Sequence, residues 1–162
     1  MRRCELTVLL SLVFMSLFAG AAWGDKPVRE PVPSPPDETF PAGQLCAFPV
    51  FVETLRNNEI LTTFSDGRQR VTGALKVRLT NVDTGESLIV NASGPGWQTE
   101  TATMFDVSGQ GHWLLFQFPG DQPGPGIFLY RGNIHFVFDF ATETVTVLSA
   151  TGSRRDLCAV LA

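Results

Sequence analysis

His112 and His135 are the two histidines of this 162-residue chain, and an imidazole is the first group to examine as a general base. It needs a carboxylate to orient it and a nucleophile to serve. If the segment is extended, Asp139 shares a strand face with His135, since residues an even number apart point the same way. Four residues of strand span ~13 Å, too far for a direct bond. No Gly-x-Ser-x-Gly elbow supplies a serine. Asp83-Thr84-Gly85 matches the aspartic-protease triplet, but that chemistry needs two carboxylates sharing a proton and the triplet occurs once. The same residues satisfy a turn. Two distant histidines make a poor metal set. The stretch from Gly120 to Gly126 lacks the Lys-Ser/Thr of a phosphate loop. Asn91-Ala92-Ser93 fits an N-glycosylation acceptor. These patterns assign no catalytic residue, no cofactor and no metal.

The cysteines say more. Residues 1–24 read as a secretory signal peptide: Arg2 and Arg3, an apolar run from Leu6 to Phe18, then Ala22-Trp23-Gly24 with small residues at the cleavage positions. The run is shorter than the ~20 residues of a membrane span, and no later stretch is long and apolar enough to be one. Cys4 leaves with the signal, and Cys46 and Cys158 remain in a protein expected to be secreted. Export permits a disulfide, and two cysteines allow one intramolecular pairing. The bond would close a loop of about 110 residues and stabilise by roughly 4–5 kcal/mol in chain-entropy terms.

The remainder is one domain's worth of chain. The formal net charge is −4, and removing Arg2, Arg3 and Glu5 takes away +1 and leaves −5. A mildly acidic chain without a Lys/Arg cluster has no general attraction for nucleic acid or anionic lipid. Residues 25–45 carry Pro27, Pro31, Pro33, Pro35, Pro36 and Pro41 among charged residues and read as an extended, disordered spacer. From Cys46 to residue 162 the period becomes two. Val71, Gly73, Leu75, Val77 and Leu79 alternate with polar or small residues, as do Ile134, Phe136, Phe138 and Phe140. About nine strands are expected, near 47–55, 59–65, 69–81, 86–93, 97–107, 111–118, 127–131, 133–140 and 144–150. Turn residues at Asp66-Gly67, Asp83-Thr84-Gly85 and Gly94-Pro95-Gly96 join them by short connections. This series predicts an all-β domain, an antiparallel up-and-down barrel of about eight or nine strands, with a two-sheet β-sandwich as the alternative. The cysteine bracket would tie the first strand to the segment after the last.

Aromatic content sets the functional expectation. Strands 111–118 and 127–131 are apolar on both faces, which points to internal packing, a ligand cavity or an association surface. A barrel of this size just holds one small ligand. The expectation is a secreted, non-enzymatic protein binding a small apolar ligand, with Trp97, Tyr130 and His135 as lining residues. An interaction module or homo-oligomer joined through strands 111–118 and 127–131 is the second reading. A small-barrel isomerase- or cyclase-like enzyme is the third.

The segments Cys-Ala-Phe-Pro-Val (46–50), Phe-Ser-Asp-Gly-Arg (64–68), Leu-Thr-Asn-Val-Asp-Thr-Gly-Glu-Ser (79–87), Val-Asn-Ala-Ser-Gly-Pro-Gly (90–96) and Asp-Leu-Cys-Ala-Val-Leu (156–161) together resemble small secreted β-proteins of high-GC Gram-positive bacteria. The resemblance covers about residues 46–162 and rests on turns and the cysteine bracket. It implies a bacterial origin, in which the Asn91 acceptor is incidental, and it brings no catalytic residues.

Overall fold

The computed structural model describes residues 26–162. The expected export signal lies outside them. The protein is all-β, as the alternation predicts, and Cys46 and Cys158 are bonded with their α-carbons 5.4 Å apart. Two antiparallel sheets carry the fold. One has eight strands: β1 (Val28–Pro31), β4 (Ile60–Thr63), β5 (Gln69–Thr72), β8 (Gly96–Glu100), β9 (Met104–Gln117), β10 (Gly126–Asp139) and β11 (Thr144–Ala150) follow in that order, and β12 (Ser153–Asp156) pairs with β10. The other has four, in the order β2 (Glu38–Phe40), β3 (Val50–Asn57), β6 (Leu75–Asn81) and β7 (Ser87–Ala92). A single helical turn, α1 (Cys158–Leu161), closes the chain. No ladder among the described residues joins the sheets into a closed barrel, and the two sheets are compatible with the sandwich alternative. Among the described residues no helix is long and apolar enough to cross a membrane.

Three sequence expectations change. The expected disordered spacer, residues 25–45, contains two paired strands within its described part, residues 26–45. Val28–Pro31 pairs with Ile60–Thr63 and Glu38–Phe40 pairs with Val50–Val52. Proline is admitted because these are edge strands, where a missing donor breaks no ladder. Between them, Asn57 Nδ2 donates to Val32 O at 3.1 Å and Thr54 N donates to an Asp37 carboxylate oxygen at 2.9 Å. The expected strand 69–81 divides at Gly73-Ala74, so that β5 and β6 belong to different sheets. Conversely, 127–131 and 133–140 form one strand, β10, and 111–118 joins the end of 97–107 as β9. The turn-like Arg131-Gly132-Asn133 is a crease inside a continuous hairpin. Gly111 and Gly132 face each other across it with φ of +87° and +130°. A β-carbon on Gly132 would overlap the Thr151 carbonyl. Glycine there lets β11 and β12 both lie along the folded β10.

The crease explains the two-faced apolarity of strands 111–118 and 127–131. On one side Leu114, Phe116, Ile127 and Leu129 pack against Val50, Val52, Val77, Leu79 and Val90 of the four-stranded sheet, with Leu157 and Leu161 at the base. On the other side Trp113, Leu115, Phe128 and Tyr130 gather with Ile134, Phe136 and Val147. The C-terminus is locked to this base, since buried Asn81 donates from Nδ2 to Leu161 O at 2.8 Å.

Candidate ligand-binding site

The eight-stranded sheet carries two transverse rows of opposite character. Gln69, Gln98, Val107, Phe136 and Val147 are paired neighbour to neighbour from β5 to β11, so they share one face. Phe105 and Phe138 form the adjacent pair on that face. One residue over, Arg70, Trp97, Ser108, His135 and Ser149 are paired across the same strands and share the opposite face. A strand alternates its side chains, so the first row is largely apolar and the second polar.

The apolar row looks into a crevice of about 370 Å³ where Leu75 of β6 and Ala92 of β7 approach it. Val71, Phe105, Trp113, Leu114, Phe136 and Phe138 complete most of its apolar lining. These large side chains are only half-buried, in contrast to Val50, Leu79 and Ile127 of the main core, which are wholly enclosed. Trp113 is fixed in place. Its indole lies on Gly94, Gly96 and Gly109, where any β-carbon would overlap the ring. Its Nε1 donates to Gln110 O at 3.2 Å, and its ring meets Phe136 edge-on at 5.8 Å. Polar groups at the crevice are few: Glu59, Gln98 and His112. Burial pushes the Glu59 carboxyl above its ordinary value, because the crevice strips water from the charged form.

The polar row borders a separate open trough of about 380 Å³. Trp97 forms one wall. Its indole touches Phe64, with ring centres 5.4 Å apart, and carries the guanidinium carbons of Arg68 and Arg70 at 5.3 and 5.4 Å from the ring centre. His135 forms the other wall, and its Nε2 lies 3.1 Å from both carboxylate oxygens of Asp106. Asp139, the partner considered from sequence, instead accepts from the backbone N–H groups of Ala141 and Thr142 in the next turn. Those bonds hold its carboxyl below the usual range. Among the described residues no serine hydroxyl bonds His135, although Ser108 is directly opposite, so an acyl-transfer triad is not assembled.

Of the three residues expected to line a ligand site, Trp97 and His135 meet in the trough, and neither borders the apolar crevice. Tyr130 is elsewhere. It is buried in the second cluster and borders a third hollow with Pro123, Val147 and Arg154. The residues that sequence reading passed over are Glu59, Asp106 and Arg70. Asp106 was findable only with the register, which sets β9 against β10 and brings it diagonally to His135. Phe136 and Phe138 carried a visible signal in their alternation, but not one that separated core from crevice. Compared with family models, curated proteins and solved structures, the chain finds no match.

Proposed function

We propose that this is an exported binding protein for a small apolar ligand, and that the ligand sits in the crevice between Phe136, Trp113 and Leu75. One observation carries the reading: large apolar side chains from both sheets are left half-exposed around a single space of about 370 Å³. Burying a Phe- or Leu-sized side chain gains ~1.5–3 kcal/mol, so a ligand that covered several of them would gain substantially from that surface. The size and the mix of many apolar walls with few polar groups are those of small-molecule pockets. Glu59 is the one carboxyl that borders the crevice, placed to meet a polar end group on the ligand.

The trough suits a purely apolar ligand less well, since Arg70, Ser108, Gln110, Asn133, His135 and Ser149 stand among its lining beside Trp97, Pro95 and Ile134. Association through strands 111–118 and 127–131 is the weaker reading, since most of their large apolar residues pack internally in two clusters. Native mass spectrometry of protein purified from its own producing cells tests the reading. A species heavier by one small molecule, released by organic solvent, is the expected result. Protein of bare polypeptide mass that also takes up no apolar probe overturns it.

A further inference from the structure

We infer that the Trp97–His135 trough is a second binding site, independent of the crevice, and that it takes an acidic oligosaccharide. Trp97 and His135 stand two strands apart, about 10 Å between backbones. Between them lie only Ser108 and the backbone of Gly96 and Gly109. Two large side chains flanking a small one make a slot wide enough for one sugar ring and too narrow for a bulky fold. The slot is open, so a longer chain can pass through it.

The chemistry of the walls selects the ligand. A sugar ring has a C–H face, which suits an indole, and an edge of hydroxyls that both donate and accept. Trp97 retains 39% of its surface exposed while two arginines and Phe64 hold its ring. The platform is therefore ordered before any ligand arrives, which lowers the entropy cost of binding. Gln110 and Asn133 are paired opposite each other in the adjacent position, and Ser108 and Ser149 lie in the row itself. Amides and hydroxyls of this kind match sugar hydroxyls in both directions.

Arg70 decides the charge. Arg68 is tied to Asp66 at 2.7 Å, but among the described residues no carboxylate pairs with Arg70. Its guanidinium is held over the indole at the rim of the slot, ready to take a carboxylate through two parallel N–H donors. Single-stranded nucleic acid fits less well, because successive bases need successive aromatic platforms. The slot offers one indole, with the Asp106 carboxylate beside His135.

Affinity electrophoresis of the disulfide-intact protein tests this, with polygalacturonate, an uncharged glucan or a single-stranded oligodeoxynucleotide in the gel. Polygalacturonate should retard the protein. Trp97→Ala and, separately, Ser108→Tyr, which fills the slot from an exposed position, should each weaken the retardation about tenfold or more, the scale of a lost stacking contact. Arg70→Gln should bring polygalacturonate down to the level of the glucan. Far-ultraviolet circular dichroism confirms that each variant is folded. The proposal is overturned if polygalacturonate does not retard the protein, or if Trp97→Ala and Ser108→Tyr leave retardation undiminished. Equal retardation by the glucan overturns the acidic-sugar assignment, and equal retardation by the oligonucleotide shows charge attraction alone and overturns it too.

Discussion

The Trp113 indole lies directly on the α-carbon of Gly109, four residues earlier in the same strand, and leaves no room for a β-carbon between them. Both residues are on the strand face that looks into the crevice, so this contact sets the position of the crevice wall. Gly109 has no left-handed backbone requirement, and the atoms nearest to a β-carbon there all belong to the indole. Gly109→Ala should therefore destabilise the protein by roughly 1–3 kcal/mol through overpacking. In a Trp113→Ala background the same substitution should cost little, and urea unfolding of the four proteins would read the coupling between the two sites.

The Cys46–Cys158 bond spans a sequence separation of 112 residues. Replacing both cysteines with alanine frees the unfolded chain and should lower stability by roughly 4–5 kcal/mol in chain-entropy terms. The loss should appear in chemical denaturation. It should exceed that of any single surface substitution in β12, whose residues are exposed.

Asp121 is 4% exposed in the loop between β9 and β10. Its carboxylate accepts from Phe118 N at 2.6 Å and from Val145 N at 2.7 Å, which pins the loop to β11. Asp121→Ala leaves both donors without a partner and should cost roughly 1–3 kcal/mol for each that stays buried. Asp121→Asn keeps one acceptor and should cost less. Thermal unfolding of the two variants side by side orders them.

Glu59 predicts a pH effect of definite sign. Its folded-state carboxyl is raised above the ordinary value of 4.5 by desolvation. Its contribution to stability is thus fully present below that value and is lost as pH rises through the raised folded one. The wild type should lose stability relative to Glu59→Gln as pH climbs from acid towards neutral. A melting-temperature series on both proteins reads the difference, which should close again at the acid end.

Sequence alone shows the all-β class because Phe136, Phe138 and Phe140 alternate with polar or smaller residues, and it points to the disulfide because the expected export signal, once removed, would leave two cysteines. It does not show that Gly73 passes the chain from one sheet to the other. A glycine inside an alternating run looks the same whether the strand continues or breaks. Gly132 leaves the reading open in the opposite direction, since a turn between two strands and an irregularity within one use the same residue type. Pro31 marks a spacer by composition, yet edge strands accept proline, and edge position is a property of the assembled sheet. At the sites, Trp97 and His135 are expected from sequence to line an apolar-ligand cavity, whereas the structure sets both beside the trough. That they share a slot depends on both being opposite Ser108, which only register decides. The crevice is hidden for a related reason. Phe136 reads as core, yet it is only half-buried where it borders the crevice, a distinction that alternation along one strand does not carry.

A crevice that holds an apolar molecule between Phe136, Trp113 and Leu75, as proposed, must lose it when a side chain fills the space. Titration of the protein with an uncharged naphthylamine fluorophore, set against Ala92→Phe, tests this proposal most directly. Ala92 borders the crevice and is 8% exposed, so a phenyl group there occupies the ligand's space. Saturable fluorescence enhancement at one equivalent is expected in the wild type. In folded Ala92→Phe binding should be weaker by about tenfold or more, the equivalent of ~1.4 kcal/mol. Equal binding by both proteins, or none by the wild type, would contradict it.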